Sequence, residues 1–326
     1  MNGLWQRGHR SGGASPHHRS SKGRRQSSHR LSHLLRHPIR TIRSQWRRGG
    51  VWRRIGIAGS AVLCVIIVLA LVMGSVRLIQ YEAEVRAAED RQKTLLAEYG
   101  FDPGNIISDA KFFNGQAMSA KEIQAFLDEK GASCTGTTCL RSATFTTTRQ
   151  KADDLCKEYT ADRSGKATAA TIIAKTAQAC SISPAVLLTM LQKEQHLVTS
   201  DNPTSFQFEA AMGLSCPDTA DCNPQYAGFF NQVFGSARRM RYYLAHEDQY
   251  GYPVGRPTYI RFHPDSSCGG TNVVIRSKAT SLLYIYTPYQ PNTAALKAGA
   301  GEGDSCSSYG NRNFWLIDAG WFSDPT

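Results

Sequence analysis

Residues 181–198, SISPAVLLTMLQKEQHLV, carry one carboxylate, Glu194, in an otherwise largely apolar segment. On a helix of 100° per residue, Leu187, Met190 and Leu191 fall within about 60° of Glu194, while Gln192 and His196 lie on the far side. A carboxyl among leucines is partly dehydrated, which favours its neutral form. An acid that keeps its proton near neutral pH can hand that proton to a leaving oxygen, which is general acid catalysis. The spacing leaves one alternative open: near the helix end, Glu194 can instead pair with a basic side chain such as Arg238 or Arg239.

Aromatic residues of the last third form a second group with binding chemistry. Tyr284, Tyr286, Tyr289, Phe314 and Trp315 can stack on a ligand ring or fill a core. Pro288 and Pro291 predict a surface loop, which singles out Tyr286 and Tyr289 as ligand contacts. His246 and His263 are isolated and read as packing or solvent-facing residues.

The elements that must position these groups are readable in outline. Ser183 before Pro184 reads as a helix start. Ser119 with Glu122 forms a capping box for a helix carrying Ile123, Phe126 and Leu127, and Gly131 ends it. Residues 166–180 read as helix. Residues 225–246 also do, with Phe229, Val233, Ala237 and Met240 on one side. TYIRFHP and TNVVIRS alternate as strands around Cys268-Gly269-Gly270, a hairpin signal. Residues 250–326 are otherwise rich in Pro, Gly and Tyr and read as loop-rich.

Eight cysteines lie in this part of the chain: Cys134, Cys139, Cys156, Cys180, Cys216, Cys222, Cys268 and Cys306. An even number predicts disulfides in an oxidising compartment. Proximity favours Cys134–Cys139 and Cys216–Cys222, and Cys268 with Cys306 pins the C-terminal part. No Cys-x-x-Cys pair or His cluster accompanies them, so neither a metal site nor a cofactor is expected. Nucleophilic Cys–His chemistry is disfavoured because each of these cysteines has a potential partner.

The charge of the 326-residue chain is divided. Of 38 Lys and Arg, 14 fall in residues 1–54, which hold no Asp or Glu; the rest of the chain therefore carries −2 of the net +12. Residues 1–54 read as a disordered basic tail that binds anionic lipid headgroups, with no specific nucleic-acid partner expected. Residues 55–76, IGIAGSAVLCVIIVLALVMGSV, run without a charge and are long enough to cross a bilayer. Cys64 lies within them. The basic excess before this span places the N-terminus in the cytoplasm and the rest outside, as a single-pass membrane protein. Residues 77–100 read as a helical stalk, and 101–326 as an extracytoplasmic domain with its helical core at about 166–248.

The segment ISPAVLLTMLQKEQ resembles the helix that carries the catalytic glutamate in soluble lytic transglycosylases and goose-type lysozymes, with Gln195 where that family has Ser. Met212-Gly213-Leu214 is similar to the family's later Gly-Leu-Met-Gln turn, and Asn231, Gly235, Tyr242, Tyr243 and Leu244 echo a later helix. This resemblance implies a mainly α, α+β fold with a lysozyme-like helical core and a small disulfide-pinned extension. It also implies Glu194 as catalytic acid and substrate contacts at Met212, Gly213 and Tyr243. The implied substrate is the glycan strand of peptidoglycan. A transglycosylase needs no second carboxylate; an inverting hydrolase needs one roughly 6.5–9.5 Å away to activate water. Asp218 and Asp221 are the candidates for that role, and they also read as ordinary turn residues.

FFNGQAMSAKEIQAFLD, LLTMLQKEQ, AMGLSCPDTADC, YTPYQPN and GDSCSSYGNRNFW further resemble segments of actinobacterial wall-associated proteins, some described as haemagglutinin-like. The expected function is therefore a peptidoglycan-cleaving glycosidase of transglycosylase or muramidase type. The alternatives are a wall-binding or adhesion module that keeps the fold without the activity, and a scaffold for wall-synthesis or division machinery.

Overall fold

The computed structural model describes residues 42–43, 46–217 and 221–323. The disorder expected for the basic tail falls mostly on residues outside that set. The chain divides into two compact units, Met1–Arg77 and Leu78–Thr326.

Helix α1 spans Val51–Tyr99, 49 residues. It takes in the apolar stretch 55–76, whose side chains, such as Leu69 and Met73, are exposed. By length and composition this helix can cross a membrane.

Within the second unit the end of α1 is built into the fold, so the predicted stalk is not free over its whole length. Ala88, Gln92 and Leu95 are buried. The Gln92 amide accepts from the Val274 backbone at 2.8 Å and donates to Asp102 and to the Val274 carbonyl, each at 3.2 Å. Asp102 is buried and ion-paired with Arg276. The packed body thus begins near Ala88, earlier than the boundary at residue 101 read from the sequence.

The body is mainly helical. After α2 (Asp109–Phe112) and α3 (Ala120–Lys130) come strands β1 (Thr144–Thr146) and β2 (Lys166–Thr168), then α4 (Ala169–Cys180), α5 (Pro184–Gln195), α6 (Ser205–Glu209) and α7 (Phe229–Ala245). A hairpin of β3 (Pro257–Arg261) and β4 (Gly270–Val274) precedes α8 (Lys278–Tyr286), α9 (Thr293–Lys297) and α10 (Gly310–Phe322). Both sheets are two-stranded and antiparallel, with Thr144 opposite Thr168 and Tyr259 opposite Asn272.

Local chemistry explains most of these starts. The Ser119–Glu122 capping box opens α3, and a second box, Thr204 with Gln207, opens α6. Ser277 caps α8 through the Thr280 backbone. The aromatic, Pro-containing stretch read as loop is therefore helix up to Tyr286, and the chain leaves the helix only as Pro288 approaches. Ser183 makes no side-chain cap on α5, contrary to expectation; Pro184 at the first helical position sets that start.

Helix α5 is the centre of the fold. Val186, Leu187, Leu188, Thr189, Met190, Leu191 and Gln192 are all buried, so it has no solvent face over most of its length. α4 and α10 pack against it. Truncating a fully enclosed side chain such as Leu188 to Ala would cost about 2–5 kcal/mol. Tyr284 and Phe314 belong to the core, and Trp315 packs edge-on against Phe101, so these three aromatics are structural.

Four disulfides are formed: Cys134–Cys139, Cys156–Cys180, Cys216–Cys222 and Cys268–Cys306. Cys64 is free. Cys156–Cys180 ties the end of α4 to the preceding loop. Cys268–Cys306 joins the β3–β4 hairpin to the segment before α10.

Candidate active site

Helix α5 emerges from the core only at its last turn, where Lys193, Glu194 and Gln195 are half-buried; His196 then turns left-handed and stops the helix. The acid therefore stands where a buried helix breaks the surface, and not on an apolar face turned inward. It meets a cleft of about 1170 Å³ lined by the last turn of α5, by Phe206 and Ala210, by Gly213 to Pro217, by Asp221, and by Arg239, Tyr243, Tyr286 and Thr287. That size exceeds an ordinary small-molecule pocket and suits an extended ligand.

The surroundings of Glu194 correct the expectation of a carboxyl enclosed by leucines. Oε1 lies 2.5 Å from Lys193 Nζ, and the two side chains are 22% and 9% exposed. The charge partner is thus its chain neighbour. Arg238 pairs instead with Asp153, and Arg239 lines the cleft. The Lys193 ammonium also lies 5.1 Å from the centre of the Tyr286 ring.

Tyr286 links the acid to the opposite wall. Its hydroxyl is 3.1 Å from Glu194 Oε1 and 2.6 Å from the Met212 carbonyl. A phenol has one proton, so it serves one acceptor at a time. The Met212 carbonyl can only accept, whereas a protonated Glu194 can donate to the Tyr286 oxygen. Burial, and then the neighbouring charge of Glu194, raise the Tyr286 pKa well above that of a free tyrosine, so it stays a phenol.

The loop opposite the acid needs glycine in two places. Gly213 has φ +68°, and a Cβ there would lie 3.4 Å from Glu194 Oε2 and 3.5 Å from the Tyr286 hydroxyl. Oε2, which accepts no hydrogen bond among the described residues, is left uncovered by this glycine. Gly235, on α7, lets the same loop close in; a Cβ there would meet Leu214 at 2.7 Å.

Gln232, a residue the sequence reading did not single out, fixes this loop. Its side chain is fully buried on α7. Oε1 accepts the backbone N–H groups of Met212 and Leu214, both at 3.0 Å. Nε2 donates to the carbonyls of Leu214 and Tyr226, both at 2.8 Å. Every hydrogen-bonding site of the amide is filled. A polar residue on the Phe229–Val233–Ala237 face was the available signal, of the same kind that drew attention to Glu194.

The other predicted contacts divide. Gly213, Tyr243 and Tyr286 line the cleft, as does Asp221 beside the Cys216–Cys222 disulfide. Asp218 lies outside the described residues. The Met212 side chain is buried and the residue acts through its carbonyl. Tyr289 is no part of the cleft; it sits beside β3, bridged to Arg261, whose guanidinium lies over its ring. Phe206, 58% exposed at the cleft wall, is an aromatic side chain that the sequence reading missed. Its helix is tied to the acid's helix by Gln207, which donates to the Gln195 carbonyl at 2.7 Å. Among the described residues no group of three His, Cys, Asp or Glu side chains is placed to hold a metal.

Residues 105–250 match the family model of the LasA N-terminal domain. The match takes in Glu194, Gly213 and Gln232, covers less than half of the 326 residues, and stops before Tyr286. No curated protein and no solved structure matches the chain.

Proposed function

We propose that the body of this protein cleaves the glycan strands of peptidoglycan with Glu194 as general acid and then base, on a lysozyme-like core. The observation that carries the reading is the placement of one carboxylate, at the end of a buried helix, on a cleft of about 1170 Å³, larger than an ordinary small-molecule pocket. Glu194 Oε2 delivers the proton to the glycosidic oxygen. Tyr286 and Lys193 hold Oε1 and thereby orient the carboxyl group. Phe206 and Tyr243 offer ring faces to the sugars. In a transglycosylase the sugar's own hydroxyl closes an anhydro ring, and the same glutamate accepts its proton. Asp221 is the candidate to activate water if the outcome is hydrolysis.

The likeness of residues 105–250 to a domain of LasA, a secreted bacterial peptidase and staphylolytic protein, supports a wall-related role. The four disulfides support an oxidising compartment, and α1 supports a single-pass anchor. In this reading the basic N-terminus stays in the cytoplasm against anionic lipid, and the body faces the wall.

One observation favours a second reading. The Lys193 ammonium occupies the oxygen that Tyr286 also contacts, an arrangement that suits a wall-binding module without activity.

Purified full-length protein in detergent, incubated with peptidoglycan, distinguishes them. Soluble muropeptides with anhydro ends mean transglycosylation, and reducing ends mean hydrolysis. Sedimentation of the protein with the wall, without release of fragments, means binding alone. Residues 101–326 would be a poor substitute, because they lack Gln92 and its bonds to the body.

A further inference from the structure

A second cavity, of about 390 Å³, lies at the other end of α5, where Ser183, Ala185 and Val186 are about 12–17 Å along the helix axis from Glu194. Ile107, Met118, Val186 and Phe322 give it apolar walls, and the exposed side chain of Lys111 stands at its rim.

Two buried polar groups face this space with unused capacity. Asp318, on α10, is 3% exposed; its Oδ1 accepts from the Thr189 hydroxyl at 3.2 Å, and its Oδ2 accepts nothing among the described residues. Ser183 is 2% exposed and its hydroxyl makes no cap on the helix that it precedes. Neither free oxygen is sealed off from the cavity, so both can bond to a molecule held there. They ask for opposite charges. A carboxylate enclosed by apolar walls calls for a cation. The first turn of α5, with the Ala185 and Val186 N–H groups lacking intrahelical acceptors, calls for an anion, and so does Lys111.

We propose that this cavity binds a free α-amino acid with an apolar side chain, its ammonium on Asp318 and its carboxylate on Ser183, the first turn of α5 and Lys111. Ile107, Met118, Val186 and Phe322 enclose the side chain. The cavity's volume is at the small end of ligand sites and fits a molecule of this size. The site is separate from the cleft, so its fate and that of the proposed cleavage reaction are independent.

The test is calorimetric titration of the full-length protein in detergent with L-leucine and D-leucine, and with two analogues that each lack one charge, N-acetyl-leucine and isoamylamine. Saturable one-to-one binding of at least one leucine enantiomer at up to roughly millimolar concentration is expected. Both analogues should bind at least tenfold more weakly. Asp318→Asn should weaken leucine binding by a similar factor. Met118→Trp, which fills the cavity from its wall, should abolish binding while leaving Asp318 in place. Absence of binding by both enantiomers overturns the proposal, and so does either analogue binding as tightly as leucine. Unchanged leucine affinity in both variants, each verified as folded by thermal unfolding, places the ligand elsewhere and also overturns it.

Discussion

The ammonium of Lys193 lies 2.5 Å from the carboxylate of Glu194, the residue that follows it in the chain. Consecutive residues on a helix point about 100° apart and do not ordinarily meet. Here both turn toward Tyr286 at the last turn of α5: its hydroxyl contacts the acid and its ring lies beneath the ammonium. The acid is thus held by polar neighbours at the mouth of a cleft, and Tyr286 couples it to the loop at Met212.

Tyr286→Phe tests that coupling. The substitution keeps the ring under Lys193 and removes only the hydroxyl. The Met212 carbonyl loses its donor, at about 1–2 kcal/mol of stability. Muropeptide release should fall ten- to a hundredfold, because the carboxyl group loses one of the contacts that orient it. Thermal unfolding and release rates, measured on one preparation, check both halves.

Gln232 acts one step further back. Gln232→Leu leaves two buried N–H groups without an acceptor and should destabilise the body by about 2–4 kcal/mol. Release should also fall, through displacement of the 212–214 loop. Gln232→Glu restores an acceptor but sets an oxygen against the carbonyls of Leu214 and Tyr226. It should therefore not recover wild-type stability in denaturant titrations at neutral pH.

Gly213→Ala separates backbone from chemistry. A φ of +68° costs an alanine about 1 kcal/mol. The added methyl group would stand 3.4 Å from Glu194 Oε2, the oxygen that delivers the proton in the proposed reaction. Release should fall by tenfold or more while stability falls by only that small amount, as read from paired activity and unfolding measurements.

Asp318 predicts the dependence of stability on pH. Burial pushes its carboxyl up to about 6, from an ordinary 3.8. The folded state therefore binds the proton more tightly than the unfolded state. Its contribution to stability is full below about pH 4, falls as pH rises through the window between about 4 and 6, and is lost above it. A shift of roughly two units corresponds to about 3 kcal/mol. Asp318→Asn should be more stable than wild type at pH 7 and should flatten this part of the profile, as measured by denaturant midpoints across the window.

The sequence was informative where one residue type decides the structure. The capping box at Ser119 and Glu122 was legible, as were the buried face of α7 and the hairpin around Gly269-Gly270. Glu194 was found because an acid among apolar residues is conspicuous. Its setting was not legible, because α5 is buried on all sides and periodicity cannot say where such a helix surfaces. Pro288 suggests a loop at Tyr286, yet a proline constrains only the residues just before it, and the helix runs on to Tyr286. The anchoring of Gln92 on Val274 joins residues 182 positions apart, and no local pattern encodes such a pairing.

The most direct test of the central claim is the release of soluble muropeptides by wild-type protein and by Glu194→Gln, with binding to peptidoglycan measured alongside. The account predicts release by wild type, a loss of at least a hundredfold in the variant, and equal binding by both. Release by the variant at the wild-type rate would contradict it, as would a wild type that binds the wall and releases nothing.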